Sequence, residues 1–396
     1  MFEVLELAPP DAILGLNEAF QKDSNPDKIN LGVGVYKDES GITPILNCVK
    51  KAERILLEEQ KSKAYLGIDG IKEYGRLSRE LLFGPDHKFL TADRAVSIQA
   101  PGGTGALRVA GDFLHTHFPA STVWCSTPTW ANHPKVFEAA GLNVKSYTYF
   151  CPDTNGLNFE GLLNDLKQIP ERDIVLLHGC CHNPCGVDPT VEQWKEIADV
   201  VKQRNALPLV DFAYQGFAEG VDADAAGLRV LAESLDEMLV ASSYSKNFGL
   251  YCERVGVLTA VGKDASSAEV ILSQLKTTVR TNYSNPPSHG AAVVSSILAD
   301  ASLRTEWESE VAAMRDRIAS MRKLFVAKMA EHAPDRDFSF IQNQNGMFSF
   351  SGLTPDQVKR LKEEFSIYIV GSGRINVAGI TSSNVDRLCK SIAACL

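Results

Sequence analysis

A lysine behind an apolar strand-like run is the first residue in this chain with the makings of chemistry. The segment reads MLVASSYSKNFGLYCERVG and spans Met238 to Gly256. A lysine at the end of a buried strand is costly unless it is paired or chemically used. Desolvation lowers its pKa and makes the amine of Lys246 a nucleophile. Such lysines form Schiff bases with carbonyls. Ser243, Ser245 and Arg254 lie close by and suit a phosphate, which an arginine can bind through two parallel hydrogen bonds. The plainer alternative is a lysine that snorkels to solvent and an arginine in a surface ion pair.

A second group ends another apolar run. Asp211 closes LPLVD, and Tyr214 follows in FAYQGF. In open α/β sheets ligands bind beyond the carboxyl ends of strands, where Asp211 and Lys246 would both sit. A buried carboxylate needs a cationic partner, and a pyridinium N–H is one candidate. Capping the next helix is the other use for Asp211. Between Ala95 and Phe118 a strand-like AVSIQA runs into PGGTG and then a helical ALRVAGDFLHTHF. Glycines at a strand-to-helix turn let the backbone approach a ligand. The helix N-terminus offers free N–H groups, and Thr104 adds a hydroxyl. The pattern is neither GxGxxG nor GxxxxGK[ST], so the usual nucleotide readings fail. A tight turn without a ligand is equally compatible.

Two further motifs carry polar groups in apolar surroundings. HGCCHNPCGVDP places Cys180, Cys181, His182 and Cys185 within six residues. No CxxC pair or second cluster completes a tetrahedron, so no metal is expected. The turn instead aims the Asn183 amide inward. In YIVGSGRINVAG, Arg374 interrupts an apolar strand pattern and calls for a buried anion, from the protein or from a substrate. Gly32 and Gly34 in NLGVGVY suggest a close backbone approach.

The elements that must position these residues are legible as an alternation. Strand candidates are Ala95–Ala100, Thr122–Ser126, Ile174–His178, Leu207–Asp211, Met238–Ser243 and Val255–Ala260. Helical patterns lie between several of them, which implies a mostly parallel sheet covered on both faces. Thr190 and Gln193 fit a capping box, with Val191, Trp194, Ala198 and Val201 on one face of the helix that follows. From Ala301 to Ala333 there is no Gly or Pro, and Leu303, Trp307, Val311, Met314, Ile318, Met321 and Phe325 keep the helical period. Such a helix spans about 45 Å, enough to leave one domain and enter another. Beyond it, residues 336–352, 357–365 and 367–376 read as strand, helix and strand, with a last helix near 384–395. This is a small α+β unit.

Composition limits the function classes. Forty Lys plus Arg against 49 Asp plus Glu give a net charge of −9, and no basic run stands out, so neither nucleic acid nor an anionic membrane surface is expected as a partner. No apolar run reaches the length of a membrane helix. MFEVLELAPPDAILG has the features of neither a signal nor a transit peptide. The nine cysteines read as reduced, mostly buried thiols, and a cytoplasmic location is expected.

Taken together, the motifs resemble the aspartate and aromatic-amino-acid aminotransferases, a group of fold-type I pyridoxal-phosphate enzymes. The resemblance runs from NLGVGVYKDE through YLGIDG, PGGTGALR, HNPxG, DFAYQGF, SYSKNFGLYxERVG, NYSNPP and NGMFSFSGL to SGRINVAG. It implies an α/β large domain with a mostly parallel seven-stranded sheet, joined by a long helix to a smaller α+β domain. The implied boundaries are an N-terminal arm at 1–11, a small domain of 12–47 and 313–396, and a large domain of 48–312. It implies pyridoxal 5'-phosphate as cofactor, with Lys246 as Schiff-base lysine and proton carrier. Asp211 would face the pyridine N–H, and Asn183 and Tyr214 the phenolic oxygen. Gly103, Thr104, Ser243 and Arg254 would hold the phosphate, and Trp130 would stack on the ring. Arg374, helped by Gly34, would hold the substrate α-carboxylate. The resemblance further implies a homodimer with shared sites, in which Tyr65 reaches the neighbouring subunit's phosphate and Arg280 its distal substrate carboxylate.

The implied reaction is ping-pong transamination between amino acids and 2-oxo acids: aspartate and 2-oxoglutarate to oxaloacetate and glutamate. VGVYKDESG favours aspartate, and an aromatic or dual-specificity enzyme is the alternative. Two departures from the family pattern are Cys185 where HNPTG has Thr, and Gly102 where some relatives have Ser.

Overall fold

The computed structural model describes residues 1–7 and 14–396. The chain forms two compact units, Pro44–Asp316 and Met1–Thr43 with Arg317–Leu396. The expected border between an arm and a small domain, at residues 11 and 12, lies outside the described residues.

The larger unit is built on seven strands: β1 (Ala95–Pro101), β2 (Thr122–Thr127), β3 (Asn143–Thr148), β4 (Ile174–His178), β5 (Leu207–Phe212), β6 (Met238–Ser243) and β7 (Val255–Val261). Their order across the sheet is β1-β7-β6-β5-β4-β2-β3. β7 is antiparallel to both of its neighbours, and the remaining pairs are parallel. β4, β6 and β7 are buried along their whole length, as a sheet covered on both faces requires. The apolar pattern anticipates six of these strands to within a residue or so. β3 escapes it because NVKSYT lies at the sheet edge, where Asn143, Lys145 and Ser146 are exposed. Polar edge residues discourage pairing with other chains, and they also erase the strand signal.

Helices cover the sheet. α1 (Gly102–His117) lays Ala106, Leu107, Ala110 and Leu114 against Ile98, Val123, Leu209 and Leu258 in one apolar core. Burial of a leucine of this kind stabilises by about 1.5–3 kcal/mol. α2 (Val191–Gln203) starts at the capping box, with Gln193 N donating to Thr190 Oγ1 at 3.2 Å and Thr190 N to Gln193 Oε1 at 2.9 Å. Trp194, Ala198 and Val201 are buried on its inner face, whereas Val191 is exposed. α3 (Ala265–Asn282) packs Leu275 and Val279 into the same core. α4 (Ala301–His332) begins in this unit and ends in the other. None of the described helices is long and apolar enough to cross a membrane.

In the smaller unit Ile29–Asn30 pairs in parallel with Ile367–Tyr368. β8 (Phe348–Phe350) pairs antiparallel with β9 (Arg374–Asn376). The N-terminal segment is therefore part of this unit's framework, a point on which periodicity is silent. Two long expected strands are shorter here. Residues 339–343 form a 3-10 turn before β8, and the 367–376 run breaks at Gly373, whose φ of +81° favours glycine.

Candidate active site

The strand directions bring the candidate residues to one edge of the sheet. β4, β5 and β6 are parallel neighbours, so their carboxyl ends lie side by side. His178 is paired with Asp211, and Asp211 with Ala241. β7 runs the other way, so its start lies at that same edge, with Gly256 opposite Ser243 on β6 and Ala100 on β1. The loop from β6 to β7 carries Lys246 and Arg254. The turn after β1 carries Gly102, Gly103 and Thr104.

Lys246 stands three residues beyond the end of β6, not on the strand itself. Its Nζ lies 4.9 Å from the centroid of the Tyr214 ring, in cation–π contact. Burial pushes its pKa down to about 8; the Asp211 carboxylate pulls upward, and the Arg254 charge adds to the fall. Roughly a tenth of the amine is therefore uncharged at pH 7, far more than for an ordinary lysine, and a nucleophile requires that form. The turn is braced from behind by α4, where Trp307 Nε1 donates to the Asn247 carbonyl at 2.8 Å and its ring stacks on Phe248 at 4.5 Å.

Asp211 is held by histidines. Its Oδ2 accepts from His133 Nε2 at 3.0 Å. Burial alone would raise its pKa, yet the His133 hydrogen bond, with the nearby Lys246 charge, brings it below the ordinary carboxylate value. The carboxylate stays ionised and can meet a cationic N–H. Thr129 Oγ1 bridges His133 Nδ1 at 2.8 Å and His178 Nε2 at 3.1 Å. Burial brings His178 down to about 3, with the His133 charge adding to the fall.

The cysteine-rich turn is occupied by its own hydrogen bonds. His182 stacks on Tyr149 at 3.9 Å, and the His178 ring lies tilted beside it at 4.1 Å. Ser126 Oγ donates to the Pro128 carbonyl at 2.8 Å, so it accepts from His182 Nε2 at 2.9 Å. His182 Nδ1 is then an acceptor, and Cys185 Sγ donates to it at 3.0 Å. Burial pushes the Cys185 thiol up and His182 down, so both groups are neutral and the assignment is consistent. Cys180, Cys181 and Asp224 bring their ligand atoms together. The Asp224 carboxylate, however, is taken by the backbone N–H groups of Gly216, Ala218, Glu219 and Gly220 at 2.7–3.2 Å.

The turn after β1 closes on Ser243 and Arg254, a donor set that could hold an anion. Ser243 Oγ donates to Ser245 Oγ at 3.1 Å, and Arg254 Nη1 to Ser245 Oγ at 3.3 Å. A Cβ on Gly103 would stand 2.9 Å from Ser243 Cβ. Gly102 has φ +76°, and a Cβ there would lie 2.3 Å from Arg254 Nη2. The departure from Ser at Gly102 thus has a local reason: a side chain would be strained and would press on the guanidinium.

Among the remaining expected residues, Asn183 is buried at a cis Asn183–Pro184 peptide. Trp130 is half-buried, its ring 5.2 Å from that of His133. Tyr65 and Arg280 stand on the surface instead. Tyr65 is 92% exposed, and Arg280, exposed at the end of α3, donates to Ser284 Oγ. In the smaller unit Arg374 is buried, with Nη2 donating to the Gly32 carbonyl at 2.6 Å and its guanidinium 4.2 Å from the Phe348 ring centroid. Gly34 meets the same ring: a Cβ there would be 2.6 Å from Phe348 Cζ. Thr129, His133 and His178 are functional candidates that the motifs do not reveal. The one signal is His178, which ends an apolar strand beside the Asp211 strand.

Comparison with known proteins agrees with this geometry. The family model for aminotransferase class I and II matches residues 26–392. An aspartate aminotransferase of Salmonella typhi is 55% identical over 396 residues, covering all of both chains. One from Escherichia coli (strain K12) is 54% identical over the same span. Among solved structures, an aromatic-amino-acid aminotransferase from Burkholderia pseudomallei, covalently bound to pyridoxal phosphate, superposes with a TM-score of 0.98 at 48% identity, covering 100% of this chain and 99% of that one. A sheet edge that gathers Lys246, Asp211 and Arg254, with a family match along nearly the whole chain, has one reading: this chain belongs to the class I and II aminotransferases.

Proposed function

We propose that the protein uses pyridoxal 5'-phosphate to move the amino group of aspartate to 2-oxoglutarate, giving oxaloacetate and glutamate in two half-reactions at one site. The observation that carries this reading is the pairing of Lys246, a desolvated amine lowered to about 8, with Asp211, a carboxylate kept ionised by His133. The cofactor fits the residues present. Gly102 and Gly103 leave a cradle that a Cβ would fill, lined by Ser243, Ser245 and Arg254, a donor set suited to a phosphate monoester. When bound, the cofactor supplies an electron sink for the pair left on the substrate α-carbon.

The chain's own residues do the rest. Lys246 Nζ would hold the cofactor, and its amine is placed to accept the proton taken from the α-carbon and to return it. Asp211 keeps the ring nitrogen protonated, and His133, tied through Thr129 to His178, holds that carboxylate in orientation. Asn183 and Tyr214 hydrogen-bond the phenolic oxygen. Gly103, Thr104, Ser243 and Arg254 hold the phosphate. Trp130 stacks on the ring, so its plane is set before the C–H bond breaks. Arg374 grips the α-carboxylate beside the Gly34 backbone. Tyr65 and Arg280 serve the site of a second subunit in a homodimer, which accounts for their exposure on a single chain. The location that suits this protein is the cytoplasm.

A visible spectrum tests the reading. With cofactor bound, the absorption band should bleach on adding aspartate and return with 2-oxoglutarate, and Lys246→Ala should fold yet show no turnover. Full turnover in that variant would remove the proposal. A second reading, preference for phenylalanine or tyrosine, is favoured by the Burkholderia pseudomallei likeness. Comparing rates with aspartate and phenylalanine separates the two.

A further inference from the structure

We propose that Arg322 is a positioning residue for substrate-carboxylate binding, acting on Arg374 through Phe348. This rests on the reading of Arg374 given above. Arg322 lies on α4 and is 3% exposed. A buried guanidinium is costly unless its donors are satisfied. Its Nη1 donates to Ser349 Oγ and to the Ile341 carbonyl at 3.3 Å; its Nη2 donates to the carbonyls of Gly346 at 2.6 Å and Phe348 at 2.9 Å. These acceptors run from the turn before β8 into the strand itself. One rigid fork therefore fixes the backbone that carries Phe348.

Phe348 is in turn wedged. The Arg374 guanidinium lies over its face at 4.2 Å, and the Gly34 backbone closes on its edge so tightly that no Cβ fits. Stacking on Phe348 sets the plane of the Arg374 fork, and the 2.6 Å bond to the Gly32 carbonyl sets its rotation within that plane. A fork binds a carboxylate through two coplanar bonds, so a tilt of that plane costs affinity directly. Lysine in place of Arg322 would keep the charge but not the planar fork that spans these acceptors. The effect falls on substrate binding, because in the reading above Arg374 meets only the α-carboxylate. It falls equally on every amino donor, since all share the α-carboxylate.

The test is steady-state kinetics of the holoenzyme for Arg322→Lys, Phe348→Leu and the double variant, with aspartate and with phenylalanine. Alongside it, the Kd of 2-methylaspartate, which has the α-carboxylate but no α-hydrogen, is read from the cofactor band. In each single variant KM and Kd should rise about tenfold, equivalent to about 1.4 kcal/mol. The rise should be equal for both donors, with kcat and the band position retained. The double variant should be no worse than the worse single one, because both act through the same ring. An unchanged KM in either folded variant, additive losses, or a loss confined to kcat overturns the inference. Should Arg322→Lys fail to fold, Ser349→Ala takes its place: it withdraws one acceptor, and KM should rise in the same direction. An unchanged KM in Ser349→Ala overturns the inference equally. The underlying reading fails separately, if Arg374→Lys leaves KM unchanged or the wild type turns over no amino donor.

Discussion

The Lys246 amine is set by burial and the Arg254 charge, which lower its pKa, against the Asp211 carboxylate, which raises it. Its pKa of about 8 lies below that of an ordinary lysine, so the reactive free base is fully present above that value and is lost as pH falls through it. In cofactor-free protein, acylation of Lys246 by a small anhydride should rise with pH through a midpoint near 8. Asp211→Ala removes the charge that holds the value up, so the midpoint should move lower; peptide mapping of the label measures both. A midpoint that stays put would show that Asp211 does not act on Lys246. Cys185 offers a second test at this scale. Threonine can donate to His182 Nδ1 as the thiol does, but valine cannot. Cys185→Thr should be close to neutral, whereas Cys185→Val should cost about 1–3 kcal/mol in denaturant unfolding, because a buried acceptor is left unmet. Equal stability of the two would mean that the S–H···N bond contributes nothing. The motifs point straight to Lys246 and Asp211 because a charged residue closing an apolar run is visible in one dimension. His133 and Thr129 are not visible in that way: they lie far from Asp211 in sequence and reach it only through the sheet register.

Among the elements, β7 has a consequence out of proportion to its length. Because it is antiparallel, the residue that precedes it, Arg254, joins the carboxyl ends of β1 and β6 instead of the opposite edge. The space it needs is provided by Gly102, with φ +76° and no Cβ. Gly102→Ser should therefore be destabilised by about 1–3 kcal/mol from backbone strain, and should bind the cofactor more weakly despite its added hydroxyl. A variant that binds the cofactor more tightly than wild type would show that the cradle tolerates a side chain. The turn carrying Lys246 depends likewise on α4. Trp307→Phe retains a ring to stack on Phe248 but loses the 2.8 Å bond to the Asn247 carbonyl. It should cost about 1–3 kcal/mol of stability, the penalty of an unmet buried carbonyl, and thermal unfolding with a cofactor titration would measure it. The helical period of α4 is plain in the sequence, but nothing in the period shows that Trp307 would brace the turn carrying Lys246.

For the whole molecule, the proposed dimer is what gives Tyr65 and Arg280 a purpose. If Arg280 serves the partner's site, Arg280→Ala should weaken aspartate far more than phenylalanine. Mixing refolded Arg280→Ala and Lys246→Ala subunits should also restore activity that neither variant has with aspartate. Random pairing gives hybrid dimers with one intact site each, about a quarter of all sites. A mixture no more active than its parts, or an active species at the 43.2 kDa mass of one chain, would exclude sharing. The order of motifs along the chain was enough to determine the class of chemistry, to single out Lys246 as the proposed lysine and to show the alternation of strands and helices. These depend on residue type, local spacing and hydrophobic period, all carried by neighbours in sequence. Tertiary structure alone decided the edge strand β3, the joining of residues 29–30 to 367–368, the histidines behind Asp211 and the wedge of Phe348 between Gly34 and Arg374. In each of these the partners are distant along the chain, and their contact exists only once the sheet register and the packing of the core have brought them together.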